Sequence, residues 1–317
     1  MYPSSFVTLH NENQTRWIKE SCDINDVTIT IFALLEQIGD DSVIVDYVNS
    51  NLARQVFGND GLKELTTKIS QGQVDLSNDD TVEKILTQVF MDVNDQCKNL
   101  KCDGSVGAAA VMTLFVNDFL YTVDYSNVVV VLGKEIGDPV DLALFPMTES
   151  HHGISETLSG YFGKSETSKP KVVGGIQINK SIKFLIFANA SLMHLVTSVK
   201  HDEETTGTSH LTSMLLDRLR TSSDITSEIE QALTEISEKY KSETDTPNLP
   251  YLALAYVDLS NEIQLDSQKV PHVGLIPSYV DWSDFYQNPS KDEVIAKIES
   301  LKMFYKSKKN LHSIAED

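Results

Sequence analysis

An α+β layered sandwich is the fold class this sequence predicts, on three observations. Strand-like stretches stand in a row from Asp103 to Leu132: Ala108 to Val116, Leu120 to Val123 and Val128 to Leu132. The turn pair Asn117-Asp118 and a polar break from Asp124 to Asn127 separate them, and β-branched or aromatic runs bounded in this way mark adjacent antiparallel strands. The runs are almost continuously apolar rather than alternating, which places their sheet between two covering layers. Elsewhere strands come in pairs with helical stretches bunched between them, unlike the strand-helix alternation of a doubly wound parallel sheet.

In chain order, residues 1–26 are polar and read as a loosely held segment. Val27 to Leu35 is a strand. Asp41 or Ser42 caps the next helix, in which Val45, Val48, Leu52 and Val56 recur at helical spacing. Asp79-Asp80 opens another, with Val82, Ile85, Leu86, Val89, Phe90 and Val93 on one face. The strand block follows. Its small residues Gly104, Ser105 and Gly107 serve close strand packing, because Ser105 lacks the Gly-x-Ser-x-Gly frame of a nucleophile turn. Residues 134–169 read as loops with one short helix. There His151-His152 is a solvated pair: adjacent histidines point apart, and no acidic or Cys partner lies at ligand spacing. Lys171 to Ile178 and Ile182 to Ala188 read as a second strand pair. Helices are expected near 190–200, 208–221 and 224–241, and a last strand from Leu252 to Leu259.

A net charge of −20 argues against a nucleic-acid backbone or an anionic membrane as ligand, since both select basic surfaces. Cys22, Cys97 and Cys102 match no zinc or thioredoxin spacing, so a reduced compartment is expected. No basic-then-apolar leader follows Met1, and no run approaches the roughly 18 apolar residues of a membrane span. The expectation is a cytoplasmic protein.

Three segments resemble one family. Leu120 to Asn127 (Leu-Tyr-Thr-Val-Asp-Tyr-Ser-Asn) is similar to the "LYVANVGD" strand and turn of metal-dependent 2C-type Ser/Thr phosphatases. Phe184 to His194 resembles their "FLVLASDGLWD", and Ile31 to Leu52 their "GVFDGHGG" strand-loop-helix. The resemblance covers roughly residues 27–258 and implies an α-β-β-α sandwich, two antiparallel sheets flanked by helices. In that family aspartates bridge two Mg²⁺ or Mn²⁺ ions that activate a water. Here the first metal-binding Asp corresponds to Gln37 or a near neighbour, followed by Ile38 where Gly is expected. The two aspartates of "SDGLWD" fall on Ala190 and His194, and the final "DN" corresponds most nearly to Asn248. With so many carboxylates replaced, the resemblance implies a pseudophosphatase with no metal, cofactor or catalytic residue. The alternative is a divergent but active phosphatase using Asp40, Asp41 and Asp124. Asp40 and Asp41, after a turn and before a helix, read first as turn and cap residues.

From Asn261 the chain changes character. A polar stretch with Pro271, Gly274 and Pro277 reads as a linker over 261–276, leaving 1–260 as the sandwich domain and 277–317 as a helical tail. Ser278 to Tyr286 (Ser-Tyr-Val-Asp-Trp-Ser-Asp-Phe-Tyr) is similar to the "PYVDFAEFYRLW" segment of the TGF-β-activated-kinase-binding adaptors, a pseudophosphatase branch of the same fold. The match keeps the aromatic register and departs at Gln287-Asn288-Pro289. It implies that Tyr279, Val280, Trp282, Phe285 and Tyr286 bind the kinase domain of a MAP kinase kinase kinase, the TGF-β-activated kinase, in stress and innate-immune signalling. The same i, i+3, i+4 aromatic stripe also suits a helix that docks on its own domain. A final helix carries Val294, Ile295, Ile298, Leu301, Met303 and Phe304 on one face, with Lys302, Lys306, Lys308 and Lys309 towards its C-terminus.

Overall fold

Alternation along one strand builds the layers. In β3 (Val27–Ile38), Ile29, Ile31, Ala33 and Leu35 enter one hydrophobic cluster, while Phe32 and Leu34 enter another on the opposite face. The structure, a computed structural model, describes residues 2–10, 14–76, 80–100, 105–125, 128–136, 141–148, 160–163, 169–198, 215, 218, 224–244 and 251–259. One five-stranded sheet takes the order β2 (Thr15–Ile24), β3, β4 (Gly107–Val116), β5 (Phe119–Tyr125), β8 (Lys171–Gln177). The other takes the order β1 (Ser4–Leu9), β10 (Leu252–Asp258), β9 (Ile182–Ala188), β6 (Val129–Ile136), β7 (Asp141–Pro146). Every pairing is antiparallel.

Helices α1 (Val43–Gly58), α2 (Asp60–Ser70) and α3 (Thr81–Lys98) cover the outer face of the β2–β8 sheet. Helices α4 (Ala190–Ser198) and α5 (Ile225–Thr244) cover the outer face of the β1–β7 sheet. The layer between the sheets is aromatic. Trp17 lies against Phe6, Phe32 and Phe187, with ring centroids 5.7, 5.8 and 5.1 Å away. Every residue of β4 is buried, as its unbroken apolar run requires of a strand covered on both faces.

The expected helical faces of α1 and α3 are buried residue for residue. Three expectations need correction. Residues 1–26 are not a loose segment: they supply β1 and β2, whose partners are β10 and β3. The strand block splits, with β4 and β5 paired in one sheet and β6 in the other. Likewise β8 pairs with β5 while β9 pairs with β6 and β10, so those two strands belong to different sheets instead of forming a pair. For β1, β6 and β8 the hydrogen-bond partner lies far along the chain, where local pattern carries no information, whereas β2 is hairpinned to β3 and is hidden by its polar composition. Residues 134–169 also contain β7, hairpinned to β6.

Candidate functional site

Two segments that resemble metal-binding motifs, the end of β3 and the start of α4, converge at one end of the inter-sheet layer, where Tyr251 leads into β10. Phe32 and Leu34 face between the sheets, so by period two Glu36 does as well. Its neighbour Gln37 takes the other direction, its Nε2 donating to the Gly39 carbonyl at 2.9 Å. The first motif therefore falls on Glu36 rather than Gln37, and Gly39, at φ +79°, makes the turn that follows. A Cβ at Gly39 would stand 2.9 Å from the Ser105 carbonyl oxygen, a second reason for glycine here.

Glu36 is enclosed by donors. The Tyr251 hydroxyl donates to its Oε1. The Ala190 backbone N–H, in the first turn of α4, and the Asn189 side chain also hydrogen-bond to the carboxyl. Asn189, fully buried, caps α4 by accepting from Leu192 N at 3.2 Å and from Ala253 N at 3.0 Å. Its Nδ2 donates to the Tyr251 carbonyl at 3.3 Å. One residue thus fixes α4 and Tyr251 against each other, and both face Glu36. Burial pushes the Glu36 carboxyl up from the ordinary carboxylate range, against these hydrogen bonds, which act to lower it. Burial, and then the nearby Glu36, push the Tyr251 hydroxyl far above the usual tyrosine range, so it keeps its proton and donates. Thr15, the register partner of Glu36 on β2, is buried with a hydroxyl lacking a hydrogen-bond partner among the described residues.

Outside this end lies an open cleft of about 640 Å³ lined by Gln14, Arg16, Gln37, Gly39, Asp40, Asp41 and Ser42. Two of its three charged residues, Arg16 and Asp41, are engaged in structure. Arg16 donates through Nε and Nη2 to Asp46 Oδ1 at 3.0 and 2.7 Å. The Ser42 hydroxyl, first, and Arg16 hold the Asp46 carboxyl below its ordinary range. Asp41 accepts from Val43 N at 3.0 Å, the cap role expected of it. Asp40 is exposed on the rim. Asp124 is buried on β5, opposite Val111, whereas Asp40 follows Ile38, which pairs with Gly107. Four residues of strand, about 13 Å, therefore separate Asp124 from the other two along the sheet.

Divalent Mg²⁺ or Mn²⁺ takes about six oxygen ligands, with several carboxylates for a bridged pair. The described motif ends contribute one carboxyl, and what faces it are N–H and O–H donors. Among the described residues no group of three or more His, Cys, Asp and Glu could hold a metal ion. The residues present do not fit a binuclear centre. Asn248 and the tail residues Tyr279, Val280, Trp282, Phe285 and Tyr286 lie outside the described residues, as does the 261–276 linker. So does the side chain of His194.

No protein-family model matches the chain, and no curated protein matches it. Solved structures do. A serine-threonine phosphatase 2C from Toxoplasma gondii superposes with a TM-score of 0.56 at 10% identity, over 81% of this chain and 96% of that one. A bacterial serine phosphatase superposes with a TM-score of 0.51 at 11% identity, over 82% of this chain and 98% of that one. The fold is that of the 2C-type Ser/Thr phosphatases. At this identity the likeness concerns architecture, and activity has to be argued from the site. Among the described residues no helix is long and apolar enough to cross a membrane.

Sequence reasoning missed Glu36, Tyr251 and Asn189. The signal for Glu36 was available in the period-two series Phe32, Leu34, Glu36. Nothing local announces Tyr251 as its partner 215 positions away.

Proposed function

We propose that this chain is a non-catalytic adaptor built on the 2C-type phosphatase fold, activating a MAP kinase kinase kinase through its C-terminal aromatic segment. The observation that carries the loss of catalysis is the engagement of Glu36 by Tyr251 and Ala190, where the fold would need carboxylates free to take metal. The kinase assignment, to the TGF-β-activated kinase in the cytoplasm, rests on the resemblance of Ser278 to Tyr286. In a short helix beginning near Val280, Trp282, Phe285 and Tyr286 share one face, with Tyr279 and Val280 leading into it.

Phe285 matches an aromatic of the adaptor segment, and central aromatic anchors commonly cost about 2 kcal/mol on truncation. Phe285→Ala should therefore weaken binding to the kinase domain roughly thirtyfold. Gln287→Ala, beyond the matched register, should leave it unchanged. A pull-down from native extract with and without residues 277–317 tests the partner itself. Should Phe285→Ala lower the melting temperature and leave binding intact, the segment belongs to its own domain.

A second reading has one observation in its favour: Glu36 is still a carboxylate at a motif position. Hydrolysis of a generic phosphomonoester with added Mn²⁺, against a metal-free control, separates the two. Turnover that depends on Mn²⁺ and disappears in Glu36→Ala would establish a divergent phosphatase.

A further inference from the structure

We propose that Glu36, Tyr251 and Asn189 form a clasp that ties the two sheets together at this end and closes it to divalent cations. Glu36 belongs to the β2–β8 sheet, while Tyr251 leads into β10 and Asn189 follows β9 in the β1–β7 sheet. The Tyr251–Glu36 hydrogen bond therefore crosses the sandwich. Its geometry is set from below. Asn189 joins the β10 ladder through its own N–H to the Ala253 carbonyl at 3.1 Å and through Oδ1 from Ala253 N. The same oxygen caps α4. The donor from Tyr251 and the donor from the α4 N-terminus are thus presented to Glu36 by one rigid unit.

Both donors carry partial positive charge, and the helix N-terminus adds its own. A cation approaching Glu36 would have to displace them and would be repelled by the dipole it met. Where an active enzyme would use ions to neutralise a carboxylate cluster, the described residues at this end hold one carboxyl, engaged by protein donors. Ala190 matters for the same reason: an acidic side chain there would put a second carboxylate beside Glu36, whereas alanine presents only its N–H. Neither the success nor the failure of the clasp bears on kinase binding.

Thermal melts of the full chain test it through a double-mutant cycle of Tyr251→Phe and Glu36→Ala. Tyr251→Phe should lower the melting temperature by roughly 3 °C or more in the native background. In the Glu36→Ala background it should lower it by less than half as much, because the acceptor is already gone. Equal losses in both backgrounds, or no loss in the first, would overturn the tie. Melts of the unmutated chain in EDTA and in excess MnCl₂ should coincide, a readout that needs no variant to fold. A Mn²⁺-induced rise that Glu36→Ala abolishes would overturn the closure.

Discussion

The inter-sheet layer has an apolar middle and a polar end, and the two hold the sandwich by different physics. In the middle, Trp17, Phe32, Phe115 and Phe187 interlock without a hydrogen bond between their side chains. Any set of hydrophobic residues of suitable volume and pattern can fill such a space. At the end, Glu36, Asn189 and Tyr251 depend on particular atoms meeting at hydrogen-bonding distance. Likeness to phosphatases at 10–12% identity is what the middle can sustain. The end is where chemistry would reside, and there likeness of fold transmits nothing. A shared architecture therefore leaves the residues at this end to be judged by their own chemistry.

The largest expected effect falls in the middle. Phe187 is fully buried and meets Trp17 edge-on. Phe187→Ala should destabilise the domain by about 3–5 kcal/mol, read by urea unfolding, by leaving a cavity in a layer that cannot collapse around it. Asn189→Ala comes next. It removes the α4 cap and leaves the buried Ala253 N–H without its side-chain acceptor. Cap loss and an unpaired buried donor together should cost about 2–3 kcal/mol. If Asn189→Ala proves nearly neutral, the polar end is ornament on an apolar fold and the contrast collapses.

Much of the middle was legible in the sequence, and little of the end. The helical faces of α1 and α3 announce themselves because their neighbours sit three or four residues away. Strand β4 announces itself by ten consecutive buried residues. Strands β1 and β2 do not, because edge strands show few apolar residues, and the partner of β1 lies some 250 positions on. Asn189 stands just before a helix and Tyr251 just before a strand, positions that show nothing beyond local roles. Their shared contact with Glu36 exists only once β9 and β10 are neighbours. The division is physical: local periodicity reports burial, and a cross-sheet hydrogen bond has no local period.

Charge separates the two regions by pH. Because burial raises the Glu36 carboxyl in the folded chain, the folded state holds its proton more tightly than the unfolded state does. The stability this contributes is fully present below the unfolded-state value, near pH 4.3, and is lost as pH rises through the folded-state value. Glu36→Gln cannot titrate, so its stability should fall less than that of the native chain between pH 4 and pH 7. Urea titrations at several pH values give both curves. Parallel curves would overturn this expectation and mean that the hydrogen bonds to Glu36 fully offset the cost of burying its carboxyl.

The smallest expected effect has the opposite sign. Thr113 and Thr122 face each other across β4 and β5, both fully buried, with hydroxyls that have no hydrogen-bond partner among the described residues. They lie on the inter-sheet face, beside Phe32 in register. A buried, unpaired hydroxyl is a liability of about 1–3 kcal/mol, and valine has nearly the same shape without it. Thr122→Val should therefore stabilise the domain by about 1 kcal/mol, a rise of roughly 2–4 °C in melting temperature. Thr30 supplies the control, since its hydroxyl is buried but meets Ser21 Oγ at 2.9 Å. Thr30→Val breaks that pair and should destabilise. If Thr122→Val also destabilises, a water bridges the Thr113–Thr122 pair, and polarity penetrates the layer beyond the clasp.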